Sequence, residues 1–233
     1  VDVAGVAGEG VTAGVDVQKD HFWYEVRAWG VGGASWLVDY GRLETWRDVT
    51  AAIVDREYSG KLVNLALIDS GYRPDDVYDF CSVYGNVCVP SKGASARMLA
   101  PYTIASIDKD AHRALKLIHV DTSHWKNYIW GRIRKPVGDV GSWHIYADCP
   151  PEYAEQICSE QRVMTQDRRT GKITEEWRPI GAHAMNHLFD CAVLSAVAAD
   201  ILGVRYLVEG DAQPEPETSP PGWVQRPQGW LQR

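Results

Sequence analysis

The stretch VTAGVDVQKDHFWYEVRAWGVGGASWLVD, Val11–Asp39, decides the fold. Val11–Val17 reads as a buried strand, and Gln18-Lys19-Asp20 as a tight turn. His21–Gly30 is rich in aromatic and β-branched residues and reads as a second strand. Gly32-Gly33 turns the chain into a third strand, Ala34–Asp39. Three strands joined by short turns predict an antiparallel meander.

Beyond the meander the pattern changes. Thr45 reads as a helix N-cap, with Asp48 three residues on as its capping-box partner. Trp46, Val49, Ile53 and Val54 give that helix one buried face as far as about Tyr58. Leu62–Asp69 (LVNLALID) is a continuous apolar run, as a strand buried on both faces requires. Pro74 opens a second helix with Asp75 and Asp76 in its first turn. Asn86–Pro90 is a short fifth strand. The order predicts an α/β fold: a mixed sheet, three antiparallel strands plus parallel ones, flanked by helices.

The second half is read as a loop over Ser91–Ile107, a strand at Leu115–Val120 and a helix capped by Thr122 or Ser123. A short strand follows at Trp143–Ala147, then a helix from Pro151 to Cys158. Arg162–Thr165 and Ile173–Arg178 form a hairpin, within about residues 161–178, whose tip carries Arg168, Arg169 and Lys172. Ala184–Leu202 is a long helix. From Glu209 five prolines mark an extended tail, residues 209–233, in which Trp223 and Trp230 have the character of a docking motif.

Composition bounds the function. The 233 residues are 45% hydrophobic, enough for a sizeable core. The apolar run His187–Val208 is broken by Asp190, Asp200 and Arg205, which argues against a membrane span. No signal peptide opens the chain, and a first residue Val1 suggests an excised domain with residues 1–10 as linker. Five scattered cysteines without a C-x-x-C pair argue against disulfides and zinc and for a reducing compartment. Lys92 to Lys135 holds nine basic and three acidic residues, a net +6, leaving −13 for the rest of a chain of net −7. A polyanion face and a merely solvated basic helix both fit that split.

Three acids stand out. Asp16 lies in an apolar strand, Asp69 ends the buried strand, and Asp190 sits within HLFDCAVLSAVAAD. Buried carboxylates need a partner. If the fourth strand lies parallel to the first, Asp16 and Asp69 become neighbours, and the last helix can bring in Asp190. Hard oxygen ligands select Mg²⁺ or Mn²⁺. Two such ions, about 4 Å apart, would activate water and stabilise the leaving oxygen of a phosphodiester. Each acid has a plainer alternative: Asp16 in a turn, Asp69 capping a loop, Asp190 facing solvent near His187.

The segments AGVDVQKDHFWYEVRAWG, SWLVDYG, ALIDSGYRPDDVYDFC, VPSKGAS and NHLFDCAVLSAVAA resemble the nuclease half of the phage terminase large subunit, in its lambda-like GpA group. The resemblance runs from about Val11 to Leu202. It implies an RNase H-like fold over residues 11–208 that cuts concatemeric viral DNA during packaging in the host cytoplasm. It implies Asp16, Asp69 and Asp190 as catalytic ligands of two Mg²⁺ or Mn²⁺ ions. It implies Lys92, in a loop after the fifth strand, near the DNA path, and a hairpin beside the site, where Arg168, Arg169 and Lys172 would contact phosphates. Its partners would be double-stranded DNA, an N-terminal ATPase domain, the small terminase subunit and the portal or procapsid.

The sequence departs from that pattern at Asn186 and His187, where a further carboxylate is expected. His187 could orient water, contact phosphate or pair with an aspartate. No Walker A pattern occurs, so the ATPase motor is not in this sequence. A junction resolvase or transposase would use the acids identically. A sugar-kinase or actin-like domain would need glycine and hydroxyl residues after the first aspartate, and Val17-Gln18-Lys19-Asp20 has none. A non-catalytic docking module remains a third alternative.

Overall fold

The computed structural model describes residues 10–107, 112, 115–166, 168–171 and 173–207. Strands β1 (Gly10–Val17), β2 (Phe22–Trp29) and β3 (Ser35–Leu43) form the expected meander, paired antiparallel, with a bulge at Val26/Arg27. Strand β4 (Leu65–Asp69) lies parallel to β1, and β5 (Cys88–Gly93) parallel to β4. With β6 (Tyr102–Ser106), β7 (Lys116–Val120) and β8 (Trp143–His144), they make one eight-stranded mixed sheet of order β6-β7-β5-β4-β1-β2-β3-β8.

Helices cover both faces. On one side α1 (Trp46–Val49), which continues as a π-helical turn over Thr50–Asp55, and α2 (Pro74–Val83) cover Val11, Ala13, Val15, Ala66 and Ile68. On the other lie α3 (Thr122–Ile133), α4 (Pro151–Ile157) and α5 (His187–Ile201), over Trp29, Leu37, Leu67 and Ile118. Hairpin β9 (Glu160–Gln166) and β10 (Ile173–Pro179) forms a separate two-stranded sheet.

Helix α5 is apolar on nearly every side, as a helix enclosed by protein must be. Leu188, Phe189 and every residue from Cys191 to Ala199 are buried. Its approach to β1 is set by Gly14: a Cβ there would stand 2.0 Å from the Cys191 carbonyl oxygen. The contact is pinned one turn on, where Thr12 Oγ1 and Ser195 Oγ are 2.9 Å apart. Trp29 Nε1 donates to the same Thr12 hydroxyl at 2.8 Å. On the same face as α5, a buried ion pair locks β8 and α4 to β2. Arg27 Nη1 donates to Glu25 Oε1 at 3.1 Å and to the Tyr153 hydroxyl at 3.0 Å. Arg27 Nη2 donates to the His144 carbonyl at 2.8 Å, and its guanidinium stacks 3.5 Å from the centre of the Trp143 ring.

Several expectations are corrected. Ser91–Ile107 is not all loop: β5 runs on to Gly93, and β6 pairs antiparallel with β7. As an edge strand β6 leaves Thr103, Ile104 and Ser106 exposed, so it lacks the inward alternation that marks a strand in sequence. Lys92 therefore lies in β5 rather than in a loop after it. The cap of α3 is Asp121, whose Oδ1 accepts from His124 N at 3.0 Å while Oδ2 accepts from Met98 N at 3.0 Å. The strand expected at Trp143–Ala147 is only two residues long, and α5 starts at His187 rather than Ala184. Thr45 and Asp48 do form the capping box. Lys172, residues 1–9 and the tail from residue 208 lie outside the described residues.

Candidate active site

The register of β1 on β4 pairs Val15 with Ile68, so one step further it sets Asp16 beside Asp69, at the C-terminal ends of two adjacent parallel strands. Open α/β sheets bind ligands at such ends. Asp16 shares its strand face with Thr12 and Gly14, the face on which α5 lies. Asp190 is in the first turn of α5, one residue before the Cys191 carbonyl that Gly14 admits. Burial, then the charge of Asp16 and more weakly that of Asp190, pushes the Asp69 carboxyl up to about 6. Burial also lifts Asp190 to about 6, with Asp16 and Glu160 adding to it and Lys126 opposing it. Two carboxyls displaced upward beside a third describe a site short of positive charge.

Protein donors engage the acids. Asp16 Oδ2 accepts from Gln18 Nε2 at 2.8 Å and lies 2.7 Å from His187 Nδ1. That hydrogen bond holds the His187 imidazole above its ordinary range, against the opposing effect of burial. The ring stacks on Trp23, centroids 5.8 Å apart and planes 6° from parallel, and His21 meets both rings edge-on. His187 thus pairs with the aspartate of β1, not with Asp190 on its own helix. Asp69 Oδ1 accepts from Gly71 N at 3.2 Å.

Asp190 is held from α3 and from the residue that caps α5. Lys126 Nζ lies 2.9 Å from Asp190 Oδ1 and 2.7 Å from Glu160 Oε1, above the Phe189 ring. Asn186 Nδ2 donates to Asp190 Oδ2 at 3.0 Å and to Glu160 Oε1 at 2.6 Å. Burial alone would lower the Lys126 ammonium; Asp190 and Glu160 outweigh it and hold the group above its ordinary range. Sequence reasoning missed this bridge. It placed Lys126 in a basic face, but the side chain is buried, 8% exposed, and spent on two carboxylates. Other cations of that segment are also used internally. Arg132 Nη1 donates to the Gly33 and Gly141 carbonyls at 2.8 and 2.7 Å, and Lys135 Nζ to the Val140 carbonyl at 2.6 Å. The spacing His187-x-x-Asp190 was visible in the sequence; a lysine 64 positions from its aspartate carries no local signal.

Lys92 is exposed on β5, and its charge weakly lowers the Asp69 carboxyl. The hairpin is anchored beside α3 by Trp177 Nε1 donating to Asn127 Oδ1 at 3.1 Å and Asn127 Nδ2 to Glu175 Oε1 at 3.0 Å. Glu160 begins the hairpin at the site. Arg168 and Arg169 lie in the turn at its other end, exposed, about 20 Å along the strand.

The chemistry of the donor set suits a hard divalent cation: two carboxylates at adjacent strand ends and a third at the start of α5, with Asp69 and Asp190 raised by burial and by like charge. Among the described residues, no three acidic, imidazole or thiolate groups already stand at the spacing of a closed metal cage. The carboxylates are turned to Lys126, His187, Gln18, Asn186 and Gly71 instead.

Sheet order and flanking helices define a mixed α/β domain in which Asp16 and Asp69 end two adjacent parallel strands. The profile of the terminase large subunit gpA endonuclease domain matches residues 3–212, and the chain belongs to that family. It is thus a nuclease domain of the phage DNA-packaging machinery. Among solved structures, it is similar to a mutant nuclease domain of the large terminase subunit gp2 of bacterial virus Sf6, with manganese. The identity is 12% over 82% of this chain and 89% of that one, at a TM-score of 0.48. No curated protein sequence matches the chain significantly. No helix among the described residues is long and apolar enough to cross a membrane.

Proposed function

We propose that the chain is a metal-dependent endodeoxyribonuclease that cuts concatemeric phage DNA during packaging, with Asp16, Asp69 and Asp190 holding two Mg²⁺ or Mn²⁺ ions. The observation that carries this reading is the convergence of three acids, from β1, β4 and α5, with Asp69 and Asp190 both raised to about 6. Divalent cations bound there would supply an activated water and stabilise the leaving oxygen of the phosphodiester.

The chain's own residues do the positioning. Hydrogen-bonded to Asp16 and stacked on Trp23, His187 fixes the carboxylate of β1. Asp190 is fixed by Lys126 and Asn186. The backbone N–H of Gly71 orients Asp69. Lys92, Arg168, Arg169 and Lys172 would meet the phosphates of double-stranded DNA, as positioning contacts without sequence preference. Residues 11–208 would be the nuclease unit, and the tail from residue 209, with Trp223 and Trp230, a docking segment. In the whole enzyme the partners would be an ATPase domain, the small subunit and the portal, in the host cytoplasm.

The test is Mn²⁺-supported nicking of supercoiled plasmid by Asp16→Ala, Asp69→Ala and Asp190→Ala. Each is expected to lose activity while keeping the parent circular dichroism. Three variants that nick at the parent rate would overturn the assignment.

A further inference from the structure

Resting on the metal-centre reading, we propose that Lys126 is a positioning residue, a resident counter-ion that holds the Asp190 carboxylate and gives it up to an arriving divalent cation. Three elements meet at its ammonium: α3 supplies Lys126, the start of β9 supplies Glu160, and the start of α5 supplies Asp190. Asn186, just before α5, donates to both carboxylates of the bridge. An ion pair needed only for packing would be complete between Lys126 and Glu160, which are 8% and 4% exposed. Here the same ammonium also reaches the more open Asp190, whose side chain is 36% exposed and whose charge acts on Asp69.

That arrangement has a definite consequence. An ammonium 2.9 Å from Asp190 Oδ1 competes with any cation for that oxygen. Glu160 supplies the alternative anion to which Lys126 can retract without being left unpaired in the interior. Removing Lys126 should therefore strengthen divalent binding. Removing the charge of Glu160 should do the opposite, because Asp190 becomes the remaining anion for the ammonium. Damage to the fold would weaken binding in both variants.

The experiment is calorimetric titration of the full chain with Mn²⁺ alone, without DNA, comparing Lys126→Met, Glu160→Gln and Lys126→Arg with the unmodified protein. The expected result is tighter binding in Lys126→Met and weaker binding in Glu160→Gln, each by about fivefold or more, the usual range of a coupling between two ligands of one group. Lys126→Arg, which keeps the charge, should stay close to the parent. If Lys126→Met fails to fold because Glu160 is left unpaired, the double variant Lys126→Met/Glu160→Gln should show the tighter binding. Shifts of the same sign in Lys126→Met (or the double variant) and Glu160→Gln, or no shift in either, would overturn the inference while leaving the metal centre standing. An unmodified chain with no Mn²⁺ binding that Asp190→Ala removes would overturn the metal-centre reading itself, and this inference with it.

Discussion

Gly14 of β1 and Cys191 of α5 meet so closely that a single methyl group on Gly14 would lie 2.0 Å from the Cys191 carbonyl oxygen. Asp16 is two residues beyond that contact and Asp190 one residue before it. The spacing of strand and helix therefore helps to set the separation of two of the proposed ligands. Gly14→Ala is expected to push α5 outward and destabilise the domain by about 1–3 kcal/mol, the usual effect of overpacking. Urea denaturation gives the stability, and plasmid nicking measured well below the midpoint should still fall. Parent-level stability and nicking would show that the contact relaxes without moving the acids.

The Arg27–Glu25 pair makes a separate prediction about the fold. Both side chains have no solvent exposure, and Arg27 also satisfies Tyr153 and the His144 carbonyl. Arg27→Ala leaves Glu25 buried with only the Tyr153 hydroxyl, 2.9 Å from Oε2, as a partner and no counter-charge, which should cost about 3–5 kcal/mol in denaturant titration. Because α4 also holds the start of α5, where Gln156 Oε1 accepts from Leu188 N at 3.1 Å, activity per folded molecule should fall as well.

Exposed Arg168 and Arg169 bear on DNA binding. Charge reversal at both is expected to weaken binding and to flatten the dependence of log K on log salt by roughly 0.9 for each phosphate that is no longer neutralised. A fluorescence-anisotropy series from low to moderate salt measures the slope; an unchanged slope removes the hairpin tip from the interface.

Thiol chemistry checks the packing. Burial raises Cys81, Cys88 and Cys191, with Cys88 at about 12. The reactive species is the thiolate, so a raised pKa leaves almost none of it at pH 8. Burial raises Cys158 too, but its side chain is exposed, so in a disulfide-exchange assay at that pH it should react slowly in the native protein, and Cys81, Cys88 and Cys191 only after denaturant is added.

The sequence exposed what depends on local pattern. The aromatic and β-branched run after Val11 announced the meander, LALID announced a central strand, and the apolar ring around Asp190 announced a buried helix. From these the parallel pairing of β1 with β4, and hence the meeting of Asp16 with Asp69, could be anticipated. What remained hidden depends on long-range contact. Edge strand β6 has too few inward residues to show a period. Lys126 looked like one more charge in a basic segment, because its partners Glu160 and Asp190 are distant in sequence. His187 was visible, but its partner Asp16 is 171 residues away.

The most direct measurement is a crystal of the chain soaked in Mn²⁺, with anomalous scattering used to find the ions. The account predicts anomalous peaks enclosed by the carboxylates of Asp16, Asp69 and Asp190, with Lys126 drawn back from Asp190 toward Glu160. Manganese bound only elsewhere at saturating concentration, with these three carboxylates still turned to their protein donors, would contradict it.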